Sequence, residues 1–564
     1  MDEKQLLEEQ RIQAEQEEKL YKRNFTKFGL DMNLNVSLGA GLLILIFSLY
    51  ALFNLEHANE MFFLVQDTII TNFDWVFILS SNFFIIVCIF LAFSKLGTVR
   101  LGGTDSETEF SNFGWYSMLI SAGMGIGLMF WSVGEPLYHA SQTPPIFASS
   151  NATHAAMATT FFHWGLHPWG IYALISLALA FFTYNRKLPL SFRSVFYPLF
   201  KDKVFGRLGD VIDTIAVLAT LFGLATSLGL GVQQINSGLN FLIGIPFNVT
   251  MQVILIVVIT FIATLSVVSG IDKGVKFLSE TNMKIAGVFM VAVFLLGPTG
   301  YILRTFSNSL GLYLNDFVSS SFFISMGDKS WQGGWSVFYL AWWISWSPFV
   351  GMFIARISKG RTIREVVLGV LIIPSLLSFI WLSVFGGTAI FVNREMQGGL
   401  FSVVENNLPV ALFEMLSGLS QIFAADMFVG VIRVVLSIVA TVLIITYFIT
   451  SSDSGSLVVS KITSGGKETS PVRQKVFWAC LEGLVAAILL IIGGERALQA
   501  LQTAVITTGL PFALVLVLMT FSLIKALQVS YTRQKRIKDI SKFKRIADHL
   551  KVFDKNKAKK NELK

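Results

Sequence analysis

Stretches of about twenty mostly apolar residues, the length a helix needs to cross a hydrocarbon layer, recur along the whole chain. Twelve are counted, over residues 37–55, 75–94, 115–136, 156–183, 211–240, 246–269, 282–303, 334–355, 364–391, 428–450, 476–493 and 502–526. They are too long and unbroken for the short alternating strands of a membrane barrel. Backbone in lipid must satisfy its own hydrogen bonds, so the pattern predicts an all-α integral membrane protein with twelve transmembrane helices. Only 14% of residues are charged against 53% hydrophobic, which agrees.

Lys and Arg in the short connections orient the spans. One set carries Lys95 and Arg100; Arg186, Lys187, Arg193, Lys201, Lys203 and Arg207; Lys273 and Lys276; Arg356, Lys359, Arg361 and Arg364; and Lys461, Lys467, Arg473 and Lys475. In the alternate set, residues 56–74, 137–155 and 241–245 carry none, and later members hold only Arg304, Lys329, Arg394 and Arg496. Both termini are therefore expected in the cytoplasm of a bacterial cell, the spans lying in its inner membrane. The N-terminus opens on Glu, Gln, Lys and Arg rather than on a cleavable apolar leader, so the first span is expected to be the insertion signal. Cys88 and Cys480 fall inside apolar spans and offer neither a disulfide framework nor metal-ligand spacing.

Six regions follow. Residues 1–33 are a charged, Gln-rich cytoplasmic tail, and 34–100 hold two peripheral spans. Residues 101–305 hold spans three to seven, and 331–527 hold spans eight to twelve. Between them, 306–330 mix apolar and polar positions and are expected to form an outer interfacial helix. Two groups of five, joined by a long connection, suit an inverted repeat, because an odd number of spans makes the second copy enter from the opposite side. Residues 528–564 form a basic cytoplasmic tail. From Lys525 onward there are fourteen Lys and Arg against four Asp and Glu, a surplus above the whole chain's net +8. Such a tail either docks on anionic lipid or serves as a solvated positive-inside anchor.

The first span of each group carries helix-breaking residues: Gly123-Met124-Gly125-Ile126-Gly127 in span three and Trp346-Ser347-Pro348 in span eight. Glycine weakens a helix and proline removes a hydrogen bond, so both are expected to unwind near mid-membrane. Free N–H and C=O groups are tolerated there beside a cavity, where they bind something polar. The glycines equally fit close packing between helices. Span four supplies Trp164, Trp169 and Tyr172, and span eight Trp342, Trp343 and Trp346, six π faces in two short segments. A ring holds a desolvated cation by about 0.5 to 2 kcal/mol per contact, and aromatic cages suit quaternary ammonium groups, which have no N–H to donate. An interfacial belt also collects Trp and Tyr, and describes Trp115 and Trp131 better than these six. Glu135, Asp213 and Asp453 lie toward span ends in turn-like or polar sequence and are expected to make structural hydrogen bonds, with His163 and His167 steadying span four.

The segments GMGIGLMFWSVGEPLYH, FHWGLHPWGIY, TLFGLATSLGLG, AWWISWSPFVGMFIARISKGRTIREV and TSSDSGS stand in this order. Over about residues 37–526 the chain thereby resembles the betaine/carnitine/choline transporter family. The resemblance implies a LeuT-like core of five plus five inverted spans, and makes Trp164, Trp169, Tyr172 and Trp343 a central aromatic box. Trp342 and Trp346 would line the neighbouring pathway, and Gly123, Met124, Gly125 and Gly127 would pass beside the box. It implies sodium-coupled import of a quaternary-ammonium compatible solute for osmoprotection, glycine betaine foremost. The alternatives are choline or carnitine uptake and sodium-independent exchange. Proton-coupled choline carriers of the family tend to hold Asp where this chain has Gly127, which favours a zwitterion and sodium.

The same resemblance implies a sodium site of main-chain oxygens near Ser121 and Met124 with the hydroxyls of Thr450 and Ser451. Taken alone, those two hydroxyls would bond back to the preceding helical turn. A further family sodium position keeps Thr220 and Phe349 but has Leu224 in place of its second hydroxyl. Members of the family often form homotrimers, and none of this requires a cofactor. A channel would need a continuous polar pore and an enzyme a nucleophile with its base or a metal cluster, and no such pattern stands out. No nucleic-acid-binding pattern accompanies the basic tail.

Overall fold

The computed structural model describes residue 15 and residues 18–562, apart from 124, 148–150, 269–271 and 468, with backbone alone at 267, 272–277, 534 and 537–562. Its first long helices are α1 (Leu34–Phe53), α2 (Leu55–Phe93), the pair α3 (Asn112–Gly123) and α4 (Ile126–Ser141), and the pair α5 (Ala152–Trp164) and α6 (Leu166–Ala180). Then come α7 (Arg207–Ile243), α8 (Val249–Val268), α9 (Asp272–Leu296) and α10 (Thr299–Asn315). The second half has α11 (Phe338–Ile357), α12 (Ile363–Glu395), α13 (Ala411–Phe423), α14 (Val429–Thr463), α15 (Val472–Gly493) and α16 (Ala497–Glu562). A two-residue hairpin, Asn24–Phe25 against Met32–Asn33, precedes α1.

Among the described residues, ten helices are long and apolar enough to cross a membrane, eleven when α3 and α4 count as one bent span. The chain is therefore an all-α, multi-pass membrane protein. Burial sorts the helices into layers. The apolar window of the α5–α6 stretch is 94% buried and that of α7 89%, whereas α8 and α9 bury 28% and 22% of theirs. A helix apolar all round is covered by protein in the first case and by lipid in the second. The core thus lies around α5, α6, α7, α11 and α12, which pack on one another and on α4.

Local chemistry sets several boundaries. Asn33 caps α1, its side chain accepting from the Asn35 N–H at 3.1 Å and the Val36 N–H at 3.4 Å. Thr362 and Glu365 form a reciprocal capping box at the start of α12. Gly244 closes α7 at φ +74°, and Gly494, at φ +51°, turns the chain between α15 and α16, which pack against each other. At the basic side of the bundle, Arg193 is buried with Nε 2.5 Å from Asp213 and a terminal nitrogen 3.1 Å from Asp210. Arg23 reaches Asp210 at 2.5 Å, which ties the segment before α1 to the start of α7.

Three elements differ from the sequence reading. The stretch 56–74, read as a connection, continues α2 as helix, and its Asp74 is paired with Lys329 at 3.0 Å. The chain breaks at Gly297-Pro298 rather than at 303, so the amphipathic helix α10 starts earlier than residue 306. The third is a correction: span eight does not unwind at Pro348, and α11 runs through it. Proline leaves the Ile344 carbonyl without its helical donor, and the Ser347 hydroxyl supplies one at 2.5 Å.

Candidate functional site

Two chain breaks face one straight helix. α3 and α4 meet at 61° across the glycine run, with Gly125 fully extended. α5 stops at Trp164, and α6 restarts after Gly165, where a Cβ would stand 2.5 Å from the Phe161 carbonyl oxygen and 2.7 Å from the Phe379 ring. A helix end leaves carbonyls without donors. That of His163 is satisfied by the Trp343 indole N–H at 2.8 Å, so the break in one segment seats an aromatic ring of the other.

The rings close on a small cavity of about 40 Å³ lined by Gly123, Gly125, Gly127, Trp164, Trp169, Tyr172, Trp342, Trp343 and Trp346. The structure thus brings together all six aromatic residues and three of the four segment residues singled out from sequence. Met124 lies outside the described residues. Trp164 meets Trp343 edge-on, with centroids 4.9 Å apart at 69°, while Trp342 and Trp343 stack at 4.8 Å and 13°. Trp169 and Tyr172 stand perpendicular at 5.4 Å. The glycines let these rings approach: a Cβ at Gly123 would lie 2.8 Å from Trp169, and one at Gly127 2.9 Å from Trp342 and 3.0 Å from Trp164. Close packing and a cavity wall are here one arrangement.

Among the described residues, no charged side chain lines the cavity. Its polar groups are the hydroxyls of Ser227, Ser378, Ser451 and Tyr172 and the indole N–H groups. Of these, the Tyr172 hydroxyl and the N–H groups of Trp342 and Trp346 have no partner among the described residues. A buried polar atom without a partner costs free energy until something binds it. The walls therefore offer π faces to a cation and separate donors to an acceptor.

Behind the rings, Glu135 is fully buried and gathers three partners from α5 and α11. It accepts from Trp164 Nε1 at 2.8 Å and Tyr339 Oη at 2.5 Å, and lies 2.6 Å from His163 Nδ1. Sequence inspection gave Glu135 a structural hydrogen bond but missed Tyr339, which precedes Trp343 by one helical turn and so shares its face. It also found no metal-ligand constellation, whereas the fold sets ligand atoms of Glu135, His139 and His163 within 4.8 Å of one another. The carboxylate is occupied by hydrogen bonds, so this group serves as a fixed anchor for Trp164. His167 bonds Asn82 Oδ1 at 3.1 Å, Asp213 holds Arg193, and Asp453 accepts from Ser266 at 3.2 Å.

Three cavities follow one another along α11. Trp335, just before α11, lines one of about 720 Å³, Trp342, Trp343 and Trp346 line the cage, and Trp346, Phe349 and Arg356 line a third of about 230 Å³. Ser121, Thr450 and Ser451 line this third cavity, with Ser451 and Trp346 shared with the cage. The Thr450 hydroxyl donates to the carbonyls of Thr446 at 3.0 Å and Tyr447 at 3.2 Å. Back-bonding uses the proton and leaves oxygen lone pairs for a cation. Phe349 lines the third cavity, but Thr220 lines none of the three; it is buried and bonded to the Ala216 carbonyl at 2.6 Å. Thr220 therefore shares no cavity wall with Phe349 or the other candidates among these three.

Residues 35–532 match the family model described as betaine/carnitine/choline family transporter. A glycine betaine/proline/choline transporter of Vibrio parahaemolyticus is 45% identical over 518 residues, covering 89% of this chain and 91% of that protein. Glycine betaine transporter 1 of the same organism is 45% identical over 513 residues, covering 90% and 95%. A glycine betaine transporter of Bacillus subtilis is 41% identical over 482 residues, covering 85% and 91%.

Proposed function

The chain belongs to the betaine/carnitine/choline transporter family, and from that premise we propose that it imports a quaternary-ammonium compatible solute, glycine betaine foremost, by symport with sodium. The observation that carries this reading is the uncharged aromatic cage. Six aromatic residues supply faces for a trimethylammonium group, and the absence of a lining carboxylate suits a solute that brings its own. The unpartnered donors of Tyr172, Trp342 and Trp346 are available to that carboxylate. The relatives' names add proline and choline to betaine, so these belong in the substrate test.

The sodium reading is supported by the oxygens of Ser121, Thr450 and Ser451 on one cavity wall; neutral hard ligands suit a reversibly bound monovalent ion. Met124 completes that set by resemblance, and Thr220 with Phe349 is left out of it. Twelve crossings in a five-plus-five arrangement are likewise proposed. Their support is the ten long helices, the bent pair α3–α4, and the turn at Gly494 that divides the stretch Val472–Arg533 in two. With the basic connections inside, both termini are cytoplasmic and the cavity at Arg356 and Lys461 is the inward vestibule.

Transport then proceeds by alternating access. The solute enters from the outer vestibule past Trp335, its ammonium group settles among Trp164, Trp169, Tyr172 and Trp343, and sodium against α14 steadies the broken α3–α4 segment. Rocking of these helices opens the way past Trp346 and Phe349. Each ligand tightens the other's binding by the same factor. Counterflow of labelled glycine betaine, proline, choline and carnitine into proteoliposomes, with and without a sodium gradient, tests the proposal. Accumulation independent of sodium would leave exchange as the mechanism, and absence of every quaternary amine from the vesicles would end the reading.

A further inference from the structure

Glu482 stands in the middle of α15, fully buried, and neither carboxyl oxygen has a hydrogen-bond partner among the described residues. It faces the closest approach of α14 and α7. A Cβ on Gly455 would lie 2.5 Å from a methyl group of Leu224 and 3.3 Å from Glu482 Oε1. Glu482 lines neither the cage nor either vestibule.

The surroundings supply little charge. Asp453 on α14 stands two residues before Gly455, and it accepts from Ser266 of α8. α1, α8 and α16 as far as Ser522 carry no Asp, Glu, Lys, Arg or His. The charged residues of α7, Arg207, Asp210 and Asp213, lie three helical turns or more before Leu224. On α14 the others are Arg433, more than five turns before Asp453, and Lys461, eight residues after it. α2 meets α15 through Ala58 near Ile488 and Ile492, at its far end. On the α8 side, Thr260 lies against Gly483, and the hydroxyls of Thr260 and Thr264 also lack partners. An ionised carboxylate with no donor and an acidic neighbour is costly in such surroundings, and a bound proton removes the cost.

We propose that Glu482 is a proton-binding site of the membrane interior, which holds its proton in this conformation and exchanges it with water when α14 and α15 part during the transport cycle. One carboxyl oxygen and water exchange the proton, and no other bond changes. Because the site is sealed from both vestibules, proton release is tied to helix movement, and alkaline solution draws the protein toward the parted state. Uptake therefore depends on pH through a residue that touches neither solute nor the proposed sodium ligands.

Two measurements on the full-length protein in liposomes test this. Dicyclohexylcarbodiimide forms adducts with protonated carboxyls in apolar surroundings, so peptide mass spectrometry should find Glu482 modified at pH about 6 and several-fold less at about 9. This arm does not rest on the transport reading. No adduct at either pH, or equal modification at both, overturns the proposal. In the uptake arm, which does rest on that reading, wild-type initial rates should change several-fold over the same range. Glu482→Gln should hold the acid-side rate throughout, and a variant that keeps the wild-type profile also overturns it. If that variant does not insert, Glu482→Asp keeps the carboxyl on a shorter stem and should move the midpoint, with an unmoved midpoint counting against the site. PH-dependent labelling in a protein that moves no quaternary amine would refute the transport reading alone.

Discussion

Trp164 donates its indole N–H to Glu135 across 2.8 Å, so a ring of the cage is aimed by a carboxylate that never reaches the cavity. The same carboxylate receives Tyr339 and pairs with His163, whose carbonyl in turn holds Trp343. Two cage rings from different helices are thus set by one buried anchor. Rings fixed before the solute arrives lose little freedom when it binds, which is how a shallow attraction per face adds up to useful affinity.

Glu135→Gln is accordingly expected to weaken solute binding while leaving the protein folded. Glutamine keeps the shape but replaces one acceptor oxygen with an NH2 donor, so at least one of the three hydrogen bonds is lost, and a buried group left unpaired costs about 1 to 3 kcal/mol. Loss of one such bond's worth raises KM by about 5- to 150-fold. Initial-rate kinetics beside a thermal melt in detergent separate the cases: a purely structural role would lower the melting temperature with KM unchanged.

Trp343 has two tasks, and two substitutions divide them. Trp343→Leu removes a π face and leaves the His163 carbonyl without its donor, so uptake should fall severely; two contacts' worth, about 2 to 3 kcal/mol, is a 30- to 150-fold loss of affinity. Trp343→Phe keeps a face and should recover most of the binding while retaining the backbone defect. Equal affinity in the leucine variant and the wild type would remove the cage assignment.

The double variant Thr450→Ala with Ser451→Ala should raise the sodium concentration for half-maximal uptake more than it changes solute affinity at saturating sodium. Thr450 lines the third cavity and Ser451 both that one and the cage, and the solute should feel their loss only through coupling. Sodium titrations of uptake at fixed solute decide it. An unchanged titration would mean that these hydroxyls do no more than bond back to their own helix.

How far the sequence was legible depends on whether a feature is local. Apolar length announced the crossing helices, and the glycine run announced the break between α3 and α4, because both are properties of contiguous residues. Pro348 misled: it reads as a break, yet Ser347 beside it repairs the freed carbonyl, a compensation that spacing alone does not reveal. Gly165 was passed over because one glycine among Trp164, His167 and Trp169 looks like packing, whereas the contacts with Phe161 and Phe379 show why the helix must stop there. The six cage aromatics were found by type. Tyr339 and the clustering of His139 with His163 were not, since they depend on how α4, α5 and α11 cross. Glu482 could have been noticed as a lone acid in an apolar span, which is a functional signal in itself.

Gly127 offers the sharpest test of what the cage discriminates. A Cβ there would stand 2.9 Å from Trp342 and 3.0 Å from Trp164, so any side chain must push the rings. Gly127→Ala measures that steric cost alone and should weaken betaine and choline uptake by similar factors. Gly127→Asp adds a charge, which repels the carboxylate of betaine but attracts choline, a net cation. At about 4 Å with an effective dielectric near 20, one unit-charge interaction is worth about 4 kcal/mol, more than the roughly 1 to 3 kcal/mol typical of an overpacked site. The ratio of choline to betaine uptake should therefore rise in Gly127→Asp relative to Gly127→Ala, and rise further as pH increases and the new carboxyl ionises. Paired uptake of the two labelled solutes by both variants across pH reads this directly. Should the aspartate variant insert, carry betaine like the alanine variant and gain no choline uptake at any pH, Gly127 would not face the ammonium end of the solute.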